Sequence, residues 1–311
     1  MPTCQSPVPA LSISARAPSR ARSTPSAVGD RQILPRQTQR MRVMGDVLCF
    51  FLVQIPKDRL AGQPDRSGLG RQGAPGYPAP MKRIVILTGA GISAESGLGT
   101  FRDEGGLWAQ HRIEDVATPE GFARDPALVH GFYNARRAQA RWARPNPAHK
   151  ALGRLQQAWG PETVQIVTQN VDSLHEAGGA SRVWHMHGQL DRALCADCGH
   201  RWDAPSEMAP DDHCPRCRAP ATRPDVVWFG EIPYHMDLIW EMLRAADLFV
   251  SIGTSGNVYP AAAFAQDAAR AGAQTLELNL ERSAISDDFD DTRLGKASDL
   301  VPVWVDDLLG G

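Results

Sequence analysis

Ile84-Val85-Ile86-Leu87 is an unbroken apolar run that breaks, after Thr88, into Gly89-Ala90-Gly91. A β-favouring run with no polar alternation suits a strand buried on both faces, as in a parallel sheet. Glycines directly after it allow a tight turn and let backbone N–H groups come close to a phosphate. Gly89, Gly91 and Ala94 fit the G-x-G-x-x-G/A fingerprint of a strand-to-helix phosphate turn, with a helix start at Ser93. Ordinary dinucleotide folds carry an acid at the end of a second strand about 20 residues on. Here that region, Trp108 to Asp115, does not read as a strand. The turn is of nucleotide type without being the usual dehydrogenase version, and a turn that merely joins strand to helix would look the same locally.

The pattern recurs. Val164 to Thr168 runs into Gln169-Asn170-Val171-Asp172, Asp247 to Ile252 into Gly253-Thr254-Ser255, and Thr275 to Leu278 into Asn279-Leu280-Glu281. Helical stretches at Pro147 to Ala158, Asp237 to Ala246 and Tyr259 to Ala271 lie between, and Leu300 to Val305 reads as a last strand. The fold class expected is α/β, a Rossmann-like parallel sheet with helices on both faces. Polar side chains at the carboxyl ends of such strands lie where ligands bind in open sheets. Asn170 and Asp172 can bond a ribose hydroxyl or a carboxamide, although Asp172 suits equally well as a cap for a helix at 173–177. The Gly253–Ser255 turn can hold phosphate or ribose, or be an ordinary loop, as can Asn279–Glu281.

Cys195-x-x-Cys198, fifteen residues, then Cys214-x-x-Cys217 is the strongest local signal. Two knuckle-like turns, with Gly199 after the first pair and Pro215 within the second, can close a tetrahedral thiolate shell around Zn2+. Four thiolates leave no open position, so the metal would be structural. A clustered set of thiols, instead of a dispersed disulfide framework, indicates a reducing compartment and a cytoplasmic protein. At 42 % hydrophobic and 22 % charged, the composition is that of a globular protein. No apolar run reaches the ~18 residues of a membrane span.

Asp125-Pro126 opens a helix expected to run to about Trp142, with Asp125 as N-cap. Tyr133 and Arg136 are three apart and share one face of it, a phenol beside a guanidinium that suits a carboxylate. A surface arginine beside a half-buried tyrosine is the plainer alternative. Between Gly99 and Ala117 the chain is expected to form a loop closing over a ligand, where Arg102 can pair with phosphate and Phe101 cover a ring. Val183 to Gly188 ends a short strand in His-Gly, which places His187 well for a general base. His185 shares its face, and spacing does not choose between them. Pro224 to Glu231 reads as an extended segment able to pair with an incoming peptide, or as a core strand.

Taken in order, these motifs resemble the sirtuins, the NAD-dependent protein deacylases. The resemblance rests on Gly89-Ala90-Gly91-Ile92-Ser93 with Phe101-Arg102, Thr168-Gln169-Asn170-Val171-Asp172, His187-Gly188, the four cysteines and Val227-Trp228-Phe229-Gly230, and it spans Met81 to Leu309. It selects His187 as catalytic base, with Asn170 beside it. It implies NAD contacts at Gly89, Ala90, Gly91, Ser93, Phe101, Arg102, Gln169, Asp172, Gly253, Thr254, Ser255, Asn279, Leu280, Glu281 and Ala297. It implies an acyl-lysine peptide held along Val227, Trp228, Phe229 and Gly230, and structural zinc on Cys195, Cys198, Cys214 and Cys217. Tyr133-Asn134-Ala135-Arg136 resembles the mark of the subgroup that removes succinyl and malonyl groups, and Gly99-Thr100, where many members have Pro-Asp, agrees with it. The implied reaction removes acetyl, succinyl or malonyl groups from lysine and yields nicotinamide and O-acyl-ADP-ribose. Mono-ADP-ribosyl transfer and NAD-dependent dehydrogenation are the alternatives.

Residues 1–80 differ from the rest, holding 11 of the 24 prolines. They read as a disordered extension. Arg16, Arg20 and Arg22 among serines resemble an organelle transit peptide, but the expectation is that the compact domain, and the native start, is at Met81. Ten Arg, one Lys and four Asp give this extension +7 against −2 for the whole chain, leaving −9 for residues 81–311. An acidic domain is a poor match for nucleic acid, and suits a basic, lysine-bearing partner. Two inserts are expected within the domain, a helical one at about 113–145 and a zinc ribbon at about 191–225.

Overall fold

The computed structural model describes residues 83–99 and 110–310. The expected extension at 1–80 and the expected phosphate and ring contacts Phe101 and Arg102 lie outside the described residues. Among those described, six strands form one parallel sheet: β1 (Ile84–Thr88), β2 (Val164–Thr168), β3 (Val183–His185), β7 (Leu248–Ile252), β8 (Gln274–Asn279) and β9 (Asp291–Leu294), in the order β3-β2-β1-β7-β8-β9. The four apolar runs became four adjacent central strands. Every residue of β1 and β7 is buried. In register, Thr88 stands beside Thr168 and Ile252, so the strands end together in one row.

Strand alternation sorts the side chains onto two faces. Ile84, Ile86, Val250 and Ile252 pack with Leu152 and Leu155 of a helix at Pro147–Trp159. Val85, Leu87 and Phe249 pack on the other face with Ile239 and Leu243 of a helix at Met236–Ala245, and with Phe264 and Ala268 of another at Phe264–Arg270. In chain order the helices are α1 (Ala90–Ala94), α2 (Ile113–Val116), α3 (Pro119–Arg124), α4 (Pro126–Ala140), α5 (Pro147–Trp159), α6 (Leu174–Ala177), α7 (Met236–Ala245), α8 (Phe264–Arg270) and α9 (Ala297–Leu309).

The expected last strand at Leu300–Val305 is instead part of α9. Val301, Val303 and Val305 alternate in sequence, and Pro302 argues against a helix interior. Yet Val301, Trp304 and Val305 are fully buried while Val303 is 60 % exposed, which is helical and not strand spacing. These side chains close the first face of the sheet, at about 1.5–3 kcal/mol for each fully buried aliphatic. The backbone N–H and hydroxyl of Ser298, in the first turn of α9, donate to Glu95 just after α1, at 3.1 and 2.6 Å.

Helices α2 and α3 fall within the helical insert expected at about 113–145, and α2 also occupies the end of the stretch to Ala117 expected to be loop. Asp125 caps α4 by accepting from Leu128 N–H at 2.9 Å, and the helix ends two residues before Trp142. The second inserted element is an antiparallel sheet of β4 (Gly188–Cys195), β5 (Arg201–Asp203) and β6 (Thr222–Val226), in the order β5-β4-β6. The expected extended run to Glu231 therefore stops at Val226. Val116, Val129, Phe132 and Tyr133 from the helical insert pack with Leu190, Val226 and Trp228 from this second element into a third core.

Candidate active site and metal centre

A cavity of about 540 Å³ opens over the row of strand ends. After β1 it is lined by Gly89, Ala90, Gly91 and Ser93, and after β2 by Gln169, Asn170 and Asp172. Gly253, Thr254 and Ser255 line it after β7, and Asn279, Leu280 and Glu281 after β8, with Ala297 at the start of α9. Tyr133, Arg136, His187, Val227 and Phe229 form the wall nearest the inserts. Trp228 and Gly230 stand outside the lining, and Trp228 is 2 % exposed.

Within the glycine turn the amides of Gly89 and Gly91 are engaged by the neighbouring strand and loop. Gly89 N–H donates to Ile252 O at 3.0 Å and Gly91 N–H to Gly253 O at 2.9 Å. Both amides are thereby taken up inside the protein. What the missing side chains allow is close approach of two loops: a Cβ on Gly91 would sit 2.8 Å from Gly253 Cα and O. Helix α1 starts at Ala90, three residues before the expected Ser93.

Behind the turn, Asn170 Nδ2 donates to Gly89 O at 3.0 Å and to Ser93 Oγ at 3.1 Å. Asp172 serves as the cap that sequence allowed and also holds Ser93. Its Oδ1 accepts Leu174 N–H at 3.1 Å at the start of α6, and its Oδ2 accepts the Ser93 hydroxyl at 3.1 Å. Burial raises the Asp172 carboxyl above its ordinary range, although these hydrogen bonds and His185 and Arg136 pull the other way.

The two histidines of the His-x-His-Gly run separate by their partners. His185 Nδ1 faces Asn170 O at 3.1 Å and its Nε2 faces Glu176 Oε1 at 2.8 Å. Both partners only accept, so both nitrogens donate and the ring is held as the cation. Burial opposes that charge, but Glu176 outweighs it and the pKa is raised. His187 Nδ1 faces Gln169 O at 3.1 Å, so that nitrogen carries the hydrogen and Nε2 keeps its lone pair. Burial lowers the His187 pKa, against the Gln169 hydrogen bond. Gly188 follows at φ +81, where a Cβ would meet Asp225 O at 2.1 Å. Only glycine lets β4 leave the loop there, and Val227 N–H to His187 O at 2.8 Å holds the loop against the segment after β6.

Sequence reasoning missed two buried histidines beneath this site. His149 Nδ1 donates to Asn146 Oδ1 at 3.0 Å and its Nε2 faces Ser93 Oγ at 3.5 Å. His175 Nε2 meets the Thr88 hydroxyl at 2.9 Å, which donates to Thr168 Oγ1 at 2.8 Å. Their rings meet edge to face at 5.0 Å. In sequence His149 is one position of a helix of period 3.6, and nothing in its spacing marks it. Burial lowers His149 to about 4 and His175 well below its usual value. Both are neutral in the fold, while an unfolded histidine titrates near 6.5. Between pH 6.5 and about 4 the unfolded chain takes up protons that the folded chain refuses, so stability falls as pH falls through this window, by up to about 1.4 kcal/mol per pH unit for each histidine. Unfolding at pH 5.5 should therefore draw about 1.8 protons onto these two histidines, about 0.9 each, read as a net uptake by calorimetry in buffers of different ionisation enthalpy. Uptake near zero would contradict this.

The four cysteine sulfurs lie within 4.8 Å of one another, with Cys195–Cys217 at 3.6 Å and Cys198–Cys214 at 3.8 Å. A tetrahedron with Zn–S bonds of about 2.3 Å has edges of about 3.8 Å, so this donor set fits zinc. Both knuckles share one geometry. Gly199 N–H bonds to Cys195 O and Arg218 N–H to Cys214 O, with φ of 68 and 65°. The matching position in the second knuckle is Arg218, not the Pro215 that sequence drew attention to. Zinc here would tie the two turns together and leave no coordination site for chemistry.

Residues 89–260 match the Sir2 family. An "NAD-dependent protein deacylase" of Bdellovibrio bacteriovorus is 54 % identical over 232 residues, covering 74 % of this chain and 97 % of that protein. A protein of the same name from Escherichia coli K12 is 53 % identical, covering 74 % of this chain and 83 % of its own. The structure is similar to that of a Sir2 homolog in complex with NAD, with TM-score 0.68 and 35 % identity over 74 % of this chain and 90 % of the other. It is also similar to a Sir2 protein bound to a myristoylated histone peptide, with TM-score 0.58 and 31 % identity over 73 % of this chain and 91 % of the other.

Proposed function

Since the chain belongs to the Sir2 family, we propose that it removes acyl groups from protein lysines at the expense of NAD, taking succinyl and malonyl groups as well as acetyl. When bound, NAD offers a ribose carbon to the acyl oxygen and releases nicotinamide. With water, the products are free lysine and O-acyl-ADP-ribose. The observation that carries the reading is His187, a neutral imidazole whose Nδ1–H is held by Gln169 O and whose Nε2 is left as a base beside the cavity.

Each neighbour has a part in this. His187 accepts a ribose hydroxyl proton at Nε2, and the Gln169 carbonyl steadies the imidazolium that results. Asn170, Ser93 and Asp172 form one hydrogen-bonded set on the nicotinamide side. The Gly253–Ser255 and Asn279–Glu281 loops and Ala297 line the adenosine side. Val227 and Phe229 carry the peptide. The thiolate cluster suits the reducing cytoplasm, and among the described residues no helix is long and apolar enough to cross a membrane.

The Arg136 guanidinium lies 6.0 Å from the Tyr133 ring centroid, and both side chains line the cavity. A guanidinium and a phenol together suit the carboxylate of a succinyl or malonyl group. Arg136→Met is expected to lower kcat/KM on succinyl-lysine peptide by about 10- to 100-fold, from about 1.5–3 kcal/mol of lost charge-assisted bonding, and to lower it far less on acetyl-lysine peptide. Equal losses on both would refute the role. The reaction itself is tested by incubating acyl-peptides with and without NAD and reading products by mass. Deacylated peptide with nicotinamide is expected. NADH would indicate a dehydrogenase, and ADP-ribose left on protein a transferase.

A further inference from the structure

Tyr133 and Trp228 are 95 positions apart, yet the Trp228 indole N–H donates to the Tyr133 hydroxyl oxygen at 3.0 Å. A phenol has one hydrogen, which prefers the ring plane, and its oxygen accepts on the side the hydrogen does not occupy. An indole nitrogen only donates. The indole therefore fixes which way Tyr133 directs its own hydrogen. Tyr133 lines the cavity and Trp228 does not, so Trp228 acts on the cavity through this bond.

The indole is held firmly. Arg223 lies over its ring with the guanidinium carbon 3.5 Å from the centroid. Arg223 is also paired through both terminal nitrogens with Glu231, at 2.7 and 2.9 Å, and donates to Val226 O at 2.8 Å. Glu231 Oε2 in turn accepts the Trp228 backbone N–H at 2.8 Å. Arg223 is 8 % exposed and Trp228 2 %, while the Glu231 side chain is 29 % exposed, so the indole is buried and Glu231 is the member of the set that reaches water.

We propose that Trp228 is a positioning residue for acyl preference: by donating to Tyr133 it turns the phenol into a committed hydrogen-bond donor toward a negatively charged acyl group. This rests on the reading of Tyr133 and Arg136 as the acyl carboxylate's receptor. A phenol free to turn its lone pair into the cavity would repel a carboxylate, whereas a neutral acetyl group has no carboxylate to hold. Trp228 thus bears on the ratio of succinyl to acetyl turnover.

The test is a double-mutant cycle of Trp228→Phe, which keeps an aromatic ring under Arg223 and deletes the N–H, with Tyr133→Phe. The readout is the ratio of kcat/KM on succinyl- and acetyl-lysine peptides, which cancels any change in folded fraction. Trp228→Phe is expected to lower that ratio about 5- to 20-fold, mainly through KM on the succinyl peptide, as for one bond to a charged group. In the Tyr133→Phe background it should change the ratio by less than about twofold. An unchanged ratio in the single variant, or the same loss in the Tyr133→Phe background, overturns the proposal. Should Trp228→Phe not fold, the indole N–H resonance of Trp228 in otherwise unaltered protein must shift on Tyr133→Phe, and a resonance that stays in place overturns it equally. Arg136→Met separates the two layers. If it leaves the ratio unchanged, the receptor reading falls; if it collapses the ratio while Trp228→Phe does not, only the role of Trp228 falls.

Discussion

His187→Ala is expected to lower deacylation kcat by about 10²–10⁴-fold, the contribution typical of a positioned general base. The wild-type pH profile should carry the same signature. A base must be neutral to act, and burial lowers the His187 pKa from its ordinary 6.5. The acid limb of kcat/KM is therefore expected below pH 6.5, with activity holding steady above it until another group titrates. In His187→Ala that limb should vanish from whatever activity remains. His185 serves as the internal comparison, since Asn170 O and Glu176 occupy both of its nitrogens. Its replacement should appear as lost stability, and an acid limb that follows His185 instead would contradict the assignment.

Removing the metal should have an effect as large, by a different route. Purified protein is expected to hold one zinc per chain, and Cys214→Ser to lose it. Structural zinc sites in small peptides contribute roughly 10–16 kcal/mol, more than a short three-stranded sheet gains from its own packing. Loss of zinc should therefore unfold β4–β6. Gly188, the first residue of β4, follows His187 directly, and Val227 N–H holds His187 O. Deacylation should fall with the metal even though zinc takes no part in it. Metal content far below one per chain, or full activity after stripping, would refute this.

Some of this was legible in sequence for identifiable reasons. A strand buried on both faces needs a run of apolar residues, so β1, β2, β7 and β8 stood out, and their polar ends located the site. The cysteines were legible because zinc knuckles are local. What sequence hid was either ambiguous or distant. The Val-Pro-Val-Trp-Val stretch of α9 fits a strand until tertiary packing shows which valine faces water. His185 and His187 share a strand face, and only Gln169, Asn170 and Glu176 tell them apart. The Tyr133–Trp228 bond joins the helical insert to the segment after β6, and no spacing rule connects residues so far apart. The glycine spacing at 89 and 91 signals a need for close approach, and the structure shows one partner, the Gly253 backbone, that lies far away in sequence.

The central claim is that a dinucleotide lies across the strand ends, within reach of His187. Its most direct measurement is a crystal structure of the protein soaked with ADP-ribose. The expected density runs from Ala297 and Glu281 along the loops at Gly89–Gly91 and Gly253–Ser255 to Asn170, with a ribose hydroxyl within hydrogen-bonding reach of His187 Nε2, about 2.6–3.2 Å. An empty cavity at saturating ligand, or a ribose placed away from His187, would contradict it.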